Sequence, residues 1–395
     1  MNMRIVHVED FFHPDAGYQV NILAKYQVKF GHEVIVITSE MEKIPQDLTA
    51  FFGRDHIEEH DKAYEQAYGV KIIRLPLHGF FSGRAIFTGA LKKTIDQCKP
   101  DVLFVHGNDT VTGMWATWNR KRLGCPLVLD SHMLEMASNN RLRNLFRGFY
   151  KAMVTPIVKK AGLTVIRTQD DPYVEKCLGI PLGQAPWISY GSDTMLFHPD
   201  PEQRKGFRQA NGISEDAFVV VYAGKLDEAK GGMLLADLTC EKLETDREVV
   251  YLVVGNTSGE YGTAVEKRFS ESPYRVLRMP TQKYRNLAQF FQVADLAVFP
   301  KQCSLSFYDV QACGLPVLFE DNTINLDRCK FDNGWTYHIG NLQDMRQKLE
   351  QILSMDPAAY AAVQENAYRF VRENYDYEEK AKEYMNVIRD VAHKE

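Results

Sequence analysis

Two lysines in the segment GKLDEAKGG have the residue types and spacing to bind a diphosphate. Lys225 and Lys230 follow the apolar run FVVVYA (218–223), which is typical of a buried strand, and Gly224 opens the loop that carries them. Two ammonium groups on such a loop can neutralise a diphosphate as it leaves a carbon atom, because fixed charges stabilise charge that develops in a transition state. Solvated lysines on a turn are the alternative, and the pair alone does not exclude them.

A second stretch runs from Asp295 to Glu320, DLAVFPKQCSLSFYDVQACGLPVLFE, and its pattern predicts strand, polar loop, helix and strand. The helix is expected over Ser304 to Cys313, because Gly314 is a natural C-terminal stop. The N–H groups of a helix that begins just past a strand end favour phosphate. Asp309, in the second turn, is a carboxylate that can accept hydrogen bonds from sugar hydroxyls. Taken alone, the stretch is equally typical of one more unit of a parallel sheet.

The first half of the chain places two histidines just beyond predicted strands. His106 ends DVLFVH (101–106), and His132 follows PLVLD (126–130). Ligands of open α/β sheets bind at the carboxyl ends of strands, so both histidines are candidates for a site. A buried structural histidine is the alternative for each of them. Gly17 lies in the loop before the first predicted helix, where a glycine permits close approach of a phosphate or simply makes a turn.

Apolar runs alternate with helical patterns throughout, which favours doubly wound parallel sheets in each half of the chain. The chain has 395 residues, too many for one ordinary core, and therefore predicts two domains with a cleft between them. The strands expected to form these sheets lie at 3–8, 32–38, 70–75, 101–106, 126–130, 163–167, 218–223, 249–254, 275–278, 296–299 and 315–319.

The composition excludes several classes of protein. A net charge of −5 gives no reason to expect a nucleic-acid partner. The seven cysteines are scattered without CxxC spacing, which argues against a zinc site or a disulfide framework and fits a reduced cytosol. No run of apolar residues is long enough to span a membrane. We therefore expect a cytoplasmic protein.

Two segments are compatible with peripheral contact at the inner face of a membrane. Residues 139–160 alternate arginines and lysines with leucines and aromatics, which predicts a basic amphipathic helix. A domain helix whose basic face meets water is the alternative. Residues 77–87, LHGFFSGRAIF, predict a loop that touches acceptor or membrane, or one that tucks its phenylalanines inside.

In order along nearly the whole chain, these segments resemble the GT-B glycosyltransferases, most closely the retaining enzymes of glycosyltransferase family 4. The family's glycine loop is matched by HPDAGY, its strand-end histidine by LVLDSHM and its inter-domain segment by YGSDTMLFHP. Its diphosphate loop is matched by GKLDEAKG, and its nucleotide-binding helix by DVQACGLPVL. The last two matches are specific in combination.

The resemblance implies roles on the donor side. Lys225 and Lys230 would hold the diphosphate and act in catalysis, and Asp309 would bind the nucleotide ribose. The resemblance also implies that Gly17 approaches the phosphate from the opposite domain. The rest of the implied donor-binding set is Gly224, Lys301, Ser304, Leu305 and Ser306.

On the acceptor side, the resemblance implies that His132 faces the transferred sugar and acts in catalysis, with His106 and Tyr18 nearby. The implied mechanism retains the anomeric configuration, and the leaving phosphate helps to deprotonate the acceptor hydroxyl. No side-chain nucleophile, metal or further cofactor is then needed.

The chain also departs from the family pattern. Lys301 stands where the family has a glutamate that touches the donor sugar, which leaves the sugar open and could suit an acidic one. Lys225 replaces an arginine and so loses its planar fork. Tyr18 replaces the second glycine of a pair, and Ser304 replaces another glycine.

We therefore expect an α/β protein of GT-B type, with two Rossmann-like doubly wound domains facing across a cleft. Residues 1–195 would form the acceptor-side domain, residues 196–376 the nucleotide-sugar domain, and helix 377–395 would pack back onto the first. The expected activity moves a hexose-type sugar from a nucleoside diphosphate sugar, with uridine as the expected base, to a carbohydrate or lipid-linked acceptor. A sugar-nucleotide epimerase and a catalytically degenerate nucleotide-sugar-binding subunit are the alternatives.

Overall fold

The computed structural model describes residues 2–44, 53–81, 83–135 and 141–393. The chain divides into two compact units, Met1–Tyr190 with Tyr377–Glu395, and Gly191–Asp376. The first boundary therefore falls after Tyr190, a few residues ahead of the expected residue 195. Part of the predicted irregular region 40–68 and the start of the predicted basic helix lie outside the described residues.

The first unit is built on one parallel sheet with the strand order β3-β2-β1-β6-β7-β8. Its strands are nearly continuous apolar runs because helices cover both faces of the sheet. The strands of this sheet are β1 (Arg4–Glu9), β2 (Glu33–Ser39), β3 (Lys71–Leu75), β6 (Val102–Val105), β7 (Leu127–Ser131) and β8 (Thr164–Arg167). Two further strands, β4 (Leu77–Phe81) and β5 (Arg84–Phe87), form a separate two-stranded sheet. The helices are α1 (Gln19–Lys29), α2 (Ile57–Tyr68), α3 (Ala90–Cys98), α4 (Val111–Leu123), α5 (Arg143–Met153) and α6 (Thr155–Ala161).

The second unit repeats this arrangement, with the order β11-β10-β9-β12-β13-β14. Its strands are β9 (Phe218–Ala223), β10 (Val249–Val254), β11 (Arg275–Met279), β12 (Leu296–Phe299), β13 (Val317–Glu320) and β14 (Gly334–Tyr337). Its helices are α7 (Pro201–Ala210), α8 (Gly232–Cys240), α9 (Gly259–Ser270), α10 (Ala288–Gln292), α11 (Ser306–Ala312), α12 (Thr323–Arg328), α13 (Leu342–Leu353) and α14 (Pro357–Asn374). Both sheets have the doubly wound order of Rossmann-like domains, so the predicted fold of each half is confirmed.

The C-terminal helix α15 (Tyr377–Ala392) belongs to the first unit and packs on α1. The ring of Tyr377 stacks on Tyr26 at 6.0 Å between centroids, and the Tyr377 hydroxyl donates to the carbonyl of Gln19 at 3.1 Å. Lys29 and Glu378 form an ion pair of 2.6 Å between these helices. Apolar stacking and paired charges therefore hold the end of the chain on the first domain.

Two predicted elements differ from the structure. The predicted basic helix 139–160 is two helices, α5 and α6, because Pro156 lacks an N–H group and starts a new helix after Val154. Residues 77–87, expected as a loop, contain the antiparallel hairpin β4–β5, in which Leu77 is buried and Phe81 is exposed. No helix among the described ranges is both long and apolar enough to cross a membrane.

Candidate active site

The loops that follow β9 and β12 carry the predicted donor-binding residues of the second unit. The sheet reverses its winding between these two neighbouring strands. In open α/β sheets, ligands bind outside the carboxyl ends of the strands at such a switch point. Lys225 and Lys230 lie on the first loop, and Lys301 and Ser304 on the second. The fold therefore brings together the two stretches that sequence analysis singled out separately.

Lys230 links the two loops directly. Its Nζ donates to the carbonyl of Cys303, 3.4 Å away on the loop before α11. Burial lowers the pKa of Lys230; Cys303 and Asp227 act against this shift, whereas the positive charges of Lys225 and Arg328 act with it. Cations held this close together favour an anionic ligand, because the ligand relieves their repulsion.

Gly231 allows the loop after β9 to pack closely against the loop after β12. Its φ is +76°, in the left-handed region, and a Cβ there would lie 2.9 Å from Cγ of Lys301 and 3.0 Å from Cβ of Pro300. A larger residue would push the lysine loop away from the loop after β12. The glycines of GKLDEAKGG therefore set how closely the two cationic loops can pack.

Arg328, at the end of α12, is a functional candidate that the sequence reasoning missed. Its side chain is buried, with 5% of the residue exposed. One guanidinium nitrogen donates to the carbonyl of Ser304 at 2.9 Å, and the guanidinium lies 4.7 Å from the ring centroid of Phe307. An arginine in the last turn of a predicted helix usually meets water there, so no local signal marks this position.

Asp309, on α11, is buried, and its Oδ1 accepts two hydrogen bonds. The hydroxyl of Ser192 donates at 2.7 Å, and that of Tyr284 at 3.0 Å. Burial raises the pKa of Asp309 to about 7. Among the described residues nothing donates to Oδ2, which leaves one carboxylate oxygen for a ligand hydroxyl.

Replacing Asp309 by alanine should weaken the binding of uridine by a factor of about ten or more, because a hydrogen bond to a carboxylate contributes about 1.5–3 kcal/mol. Calorimetry with free uridine measures the effect without any contribution from phosphate. Ser192→Ala is the matched control, since it removes a buried partner of Asp309 but leaves the carboxylate in place. Unchanged uridine affinity in the alanine variant would remove Asp309 from the site.

The start of α11 differs from its prediction. The helix begins at Ser306 instead of Ser304, and the Ser306 N–H donates to Oγ of Ser304 at 3.3 Å. This amide is therefore already engaged, and the expected phosphate contact at the helix tip loses one of its donors. Leu305, between these two serines and also in the predicted set, is 42% exposed.

In the first unit the winding reverses between β1 and β6, and buried polar groups form a hydrogen-bonded chain beside this point. His7 contacts Gln27 at 2.6 Å and His106 at 2.9 Å, and His106 contacts Asp130 at 2.6 Å. Burial lowers the pKa of His7 to about 3. His106 is thus a buried residue with both ring nitrogens occupied, and its place on the acceptor side stays a prediction.

His132 is also held at both nitrogens. Its Nε2 lies 3.0 Å from Asp130, and its Nδ1 lies 2.6 Å from the Tyr190 hydroxyl. Although burial acts against it, the Asp130 carboxylate raises the pKa of His132 well above its usual range. His132 is therefore a positively charged side chain at the edge of the sheet. Because both ring nitrogens have partners, a ligand can contact only the exposed face of the ring or the Tyr190 hydroxyl.

Glu9, at the end of β1, is a second residue that sequence reasoning missed. Burial raises its pKa to about 7, which keeps part of the carboxyl protonated at neutral pH. Tyr18, the residue before α1, is 41% exposed, and Gly17 ahead of it is half-buried. Burial and, to a lesser extent, the charge of Glu9 raise the pKa of Tyr18.

Three of these side chains could in principle hold a metal ion. His106, Asp130 and His132 each offer one ligand atom, and these atoms lie within 4.8 Å of one another. Asp130 already hydrogen-bonds to each histidine through a different carboxylate oxygen, so the group fits a self-contained network. The expectation that the reaction needs no metal stays a prediction.

Each of the two Rossmann-like units matches a family of known proteins. Residues 16–169 match the family described as Glycosyltransferase Family 4, and residues 203–370 match the family described as Glycosyl transferases group 1. The chain belongs to the GT-B glycosyltransferases. The resemblance to this class that the motifs predicted is therefore confirmed.

Individual proteins with which the chain shares similarity fall within this class. A D-inositol 3-phosphate glycosyltransferase of Catenulispora acidiphila is 24% identical over 261 residues, which are 60% of this chain and 61% of that protein. The chain thus spans about three fifths of that relative. A probable sucrose-phosphate synthase of Thermosipho melanesiensis is 23% identical over 411 positions, covering 95% of this chain and 91% of that protein.

A solved structure shares the fold over nearly the whole length. Anabaena HepE, in complex with UDP and glucose, superposes with a TM-score of 0.73 and 15% identity, covering 98% of this chain and 100% of that one. At this identity the likeness establishes the fold alone.

Proposed function

We propose that this protein transfers a hexose-type sugar from a nucleoside diphosphate sugar to a hydroxyl group of a carbohydrate or lipid-linked acceptor, with retention of configuration. The carrying observation is the cation cluster of Lys230, Lys225 and Arg328 around the loop before α11. Asp309, with one carboxylate oxygen uncommitted, supplies a partner for the ribose. Uridine is the proposed base, in keeping with the UDP bound by the HepE structure.

The proposed reaction breaks the bond between the anomeric carbon and the diphosphate. The bonding electrons pass to the diphosphate oxygen, whose growing negative charge Lys225 and Lys230 stabilise. The acceptor oxygen bonds to the anomeric carbon on the same face, and its proton passes to the departing phosphate. No side-chain nucleophile takes part in this route.

The experiment follows the products of UDP-glucose and related UDP-sugars by NMR. Acceptors in the panel include simple hexoses, hexose phosphates and D-inositol 3-phosphate. A new glycosidic bond with the donor's anomeric configuration, together with released UDP, is the expected result. An inverted product would contradict retention.

Two alternatives give different products in the same assay. An epimerase would return an isomerised nucleotide sugar without a new glycosidic bond, but it needs acid and base groups clustered on the sugar. On the loop after β12, where the family has a glutamate that touches the donor sugar, this chain has Lys301. A binding subunit would hold the donor and yield neither hydrolysis nor transfer across the panel.

We also propose that the first unit contacts an anionic lipid surface through α4 and α5. Large apolar side chains on these helices face outward, with Leu145 72% and Met153 53% exposed. Trp118 joins them, since its ring lies 6.3 Å from that of Phe149. Exposed basic residues are close to these side chains in sequence, namely Lys121 and Arg122 on α4 and Arg141 just before α5. Exposed apolar side chains together with positive charge are the pattern of a helix that lies in a lipid interface.

The double variant Leu145→Gln, Phe149→Gln should reduce co-sedimentation with phosphatidylglycerol vesicles by a factor of about ten or more, since burying each such side chain is worth about 1.5–3 kcal/mol. Leu182→Gln is the control, because Leu182 is also exposed in this unit but lies outside α4 and α5. Equal sedimentation of the double variant and the wild type would exclude this surface as the lipid contact.

A further inference from the structure

Gln302, on the loop after β12, has a backbone conformation that glutamine rarely adopts. Its φ is +61°, in the left-handed region, where the Cβ of a residue other than glycine crowds the following carbonyl oxygen. Lys99 has a similar φ of +48°, but it caps the C-terminus of α3, where this conformation is common. Gln302 caps no helix. Strained residues of this kind persist only when their surroundings hold them, and they cluster at functional sites.

Two buried side chains hold Gln302 in this conformation. Its N–H donates to Oε1 of Glu320, at the end of β13, over 2.7 Å. Its carbonyl accepts from Nδ2 of Asn325 on α12 at 3.5 Å, and the same Nδ2 donates to the Glu320 carbonyl at 2.9 Å. Glu320 and Asn325 are both buried. Both backbone polar groups of the strained residue are therefore bound to side chains that packing has fixed.

The other carbonyl groups of this loop are also held by the protein. Those of Pro300, Cys303 and Ser304 accept hydrogen bonds from side chains of other elements, namely Tyr337, Lys230 and Arg328 respectively. Within the described residues, by contrast, no group accepts the N–H of Cys303 or Ser304. A loop whose carbonyl oxygens are engaged and whose N–H groups are available suits an anion such as a diphosphate.

Asn325 carries a second cost at the same place. Its Oδ1 is buried and has no hydrogen-bond partner among the described residues, while Nδ2 serves two carbonyl groups. A buried polar atom without a partner lowers stability, as does the strain of Gln302. Stability alone favours neither feature, and departures of this kind are expected where a loop must keep one shape for a ligand.

We infer that Glu320 and Asn325 are positioning residues, which keep Gln302 left-handed and thereby give the loop from Lys301 to Leu305 the shape that binds the donor diphosphate. This inference rests on the proposed function and adds two residues to its donor site. Glu320 acts on the ligand only through the backbone of the loop. A carboxylate is suited to this task because it forms stronger hydrogen bonds with backbone N–H groups than a neutral acceptor does.

Glu320→Ala should weaken the binding of UDP, measured by calorimetry, by a factor of about ten or more, since the Gln302 N–H loses a charge-assisted hydrogen bond and the residue relaxes to a negative φ. Uridine affinity should stay within about threefold of wild type, because the nucleoside has no diphosphate to contact the loop. Glu320→Gln keeps an acceptor oxygen for the same N–H and should bind UDP within about threefold of wild type.

The decisive variant combines Glu320→Ala with Gln302→Gly. Glycine adopts a positive φ without strain, so the double variant should bind UDP within about threefold of wild type. Lys99→Gly in the Glu320→Ala background is the matched control, because it relieves a left-handed residue of the first unit and leaves this loop unchanged. Asp321→Ala is the second control, since Asp321 is the adjacent carboxylate but pairs with His338. Neither control should alter UDP affinity relative to its own background.

The inference is overturned if folded Glu320→Ala binds UDP within about twofold of wild type. Equal losses for UDP and uridine overturn it as well, because they indicate a general loss of structure. Failure of Gln302→Gly to restore binding overturns the role of the left-handed residue. If Glu320→Ala does not fold, Glu320→Asp gives the same test, since its shorter side chain cannot reach the Gln302 N–H. Absence of UDP binding by the wild type overturns the proposed uridine donor itself, and this inference with it.

Discussion

Lys230→Ala is expected to lower the rate of sugar transfer by a factor of about 100 to 1,000, the usual loss when one preorganised group that stabilises transition-state charge is removed. Lys230 is partly buried and fixed on the carbonyl of Cys303. Its charge acts in a poorly solvated place, where electrostatic interactions are stronger than in water. Because the diphosphate gains charge only as its bond breaks, the turnover number should fall more than the donor affinity.

Steady-state kinetics with the best donor from the panel measures this loss. Lys225→Ala should have a smaller effect, since Lys225 is exposed and its charge is better screened by solvent. Lys205→Ala is the control, because it removes an exposed lysine of the same unit on α7. Activity in Lys230→Ala within a factor of about three of wild type would contradict the catalytic role of this amine.

Asp130→Asn should lower the free energy of unfolding at pH 7 by about 3–5 kcal/mol, because it removes one partner from a buried, charged network. Asp130 bonds to His106, to His132 and to the N–H of Gly107. An asparagine of the same shape leaves the His132 cation without its counter-charge and places an N–H group where acceptors are needed. Urea denaturation followed by tryptophan fluorescence measures the change.

The dependence on pH follows from the direction of each pKa. Burial alone would raise the pKa of Asp130, but His132 and His106 hold it well below its usual range. Its contribution is therefore present above the ordinary pKa of aspartate and is lost as the pH falls further. The raised pKa of His132 means that its contribution is present at low pH and is lost as the pH rises through that value.

The destabilisation by Asp130→Asn should therefore shrink at alkaline pH, where His132 is neutral in both proteins. Asp96→Asn is the control, because Asp96 forms an exposed ion pair with Lys92, which is worth about 1 kcal/mol at most. A constant difference between wild type and Asp130→Asn across this pH range would contradict the charged His132.

The fold and the donor side were the parts most accessible from the sequence. Buried parallel strands are continuous apolar runs, so FVVVYA and LAVF revealed β9 and β12. The loop that follows β9 also pointed to Lys225 and Lys230 as a pair. Lys301 was added only by the resemblance to the family, because no local pattern marks it as part of the same site.

The remaining features depend on contacts between residues distant in sequence. His132 is held by Tyr190, and Asp309 by Ser192, across 58 and 117 residues respectively, and no local pattern encodes either pair. Arg328 resembles an ordinary helix-terminal arginine until the fold buries it. Helix α11 begins at Ser306 instead of Ser304, because the Ser304 hydroxyl accepts a hydrogen bond from the Ser306 N–H. Such side-chain bonds compete with helical bonds, and helix propensity alone does not predict which of them forms.

The most direct measurement is calorimetry of UDP and uridine with wild-type protein, Lys230→Ala and Lys225→Ala. We expect wild-type protein to bind UDP far more tightly than uridine, and each variant to lose most of this difference while its uridine affinity is unchanged. Equal affinity of the wild type for the two ligands, or parallel losses for both in the variants, would contradict a diphosphate site built on these amines.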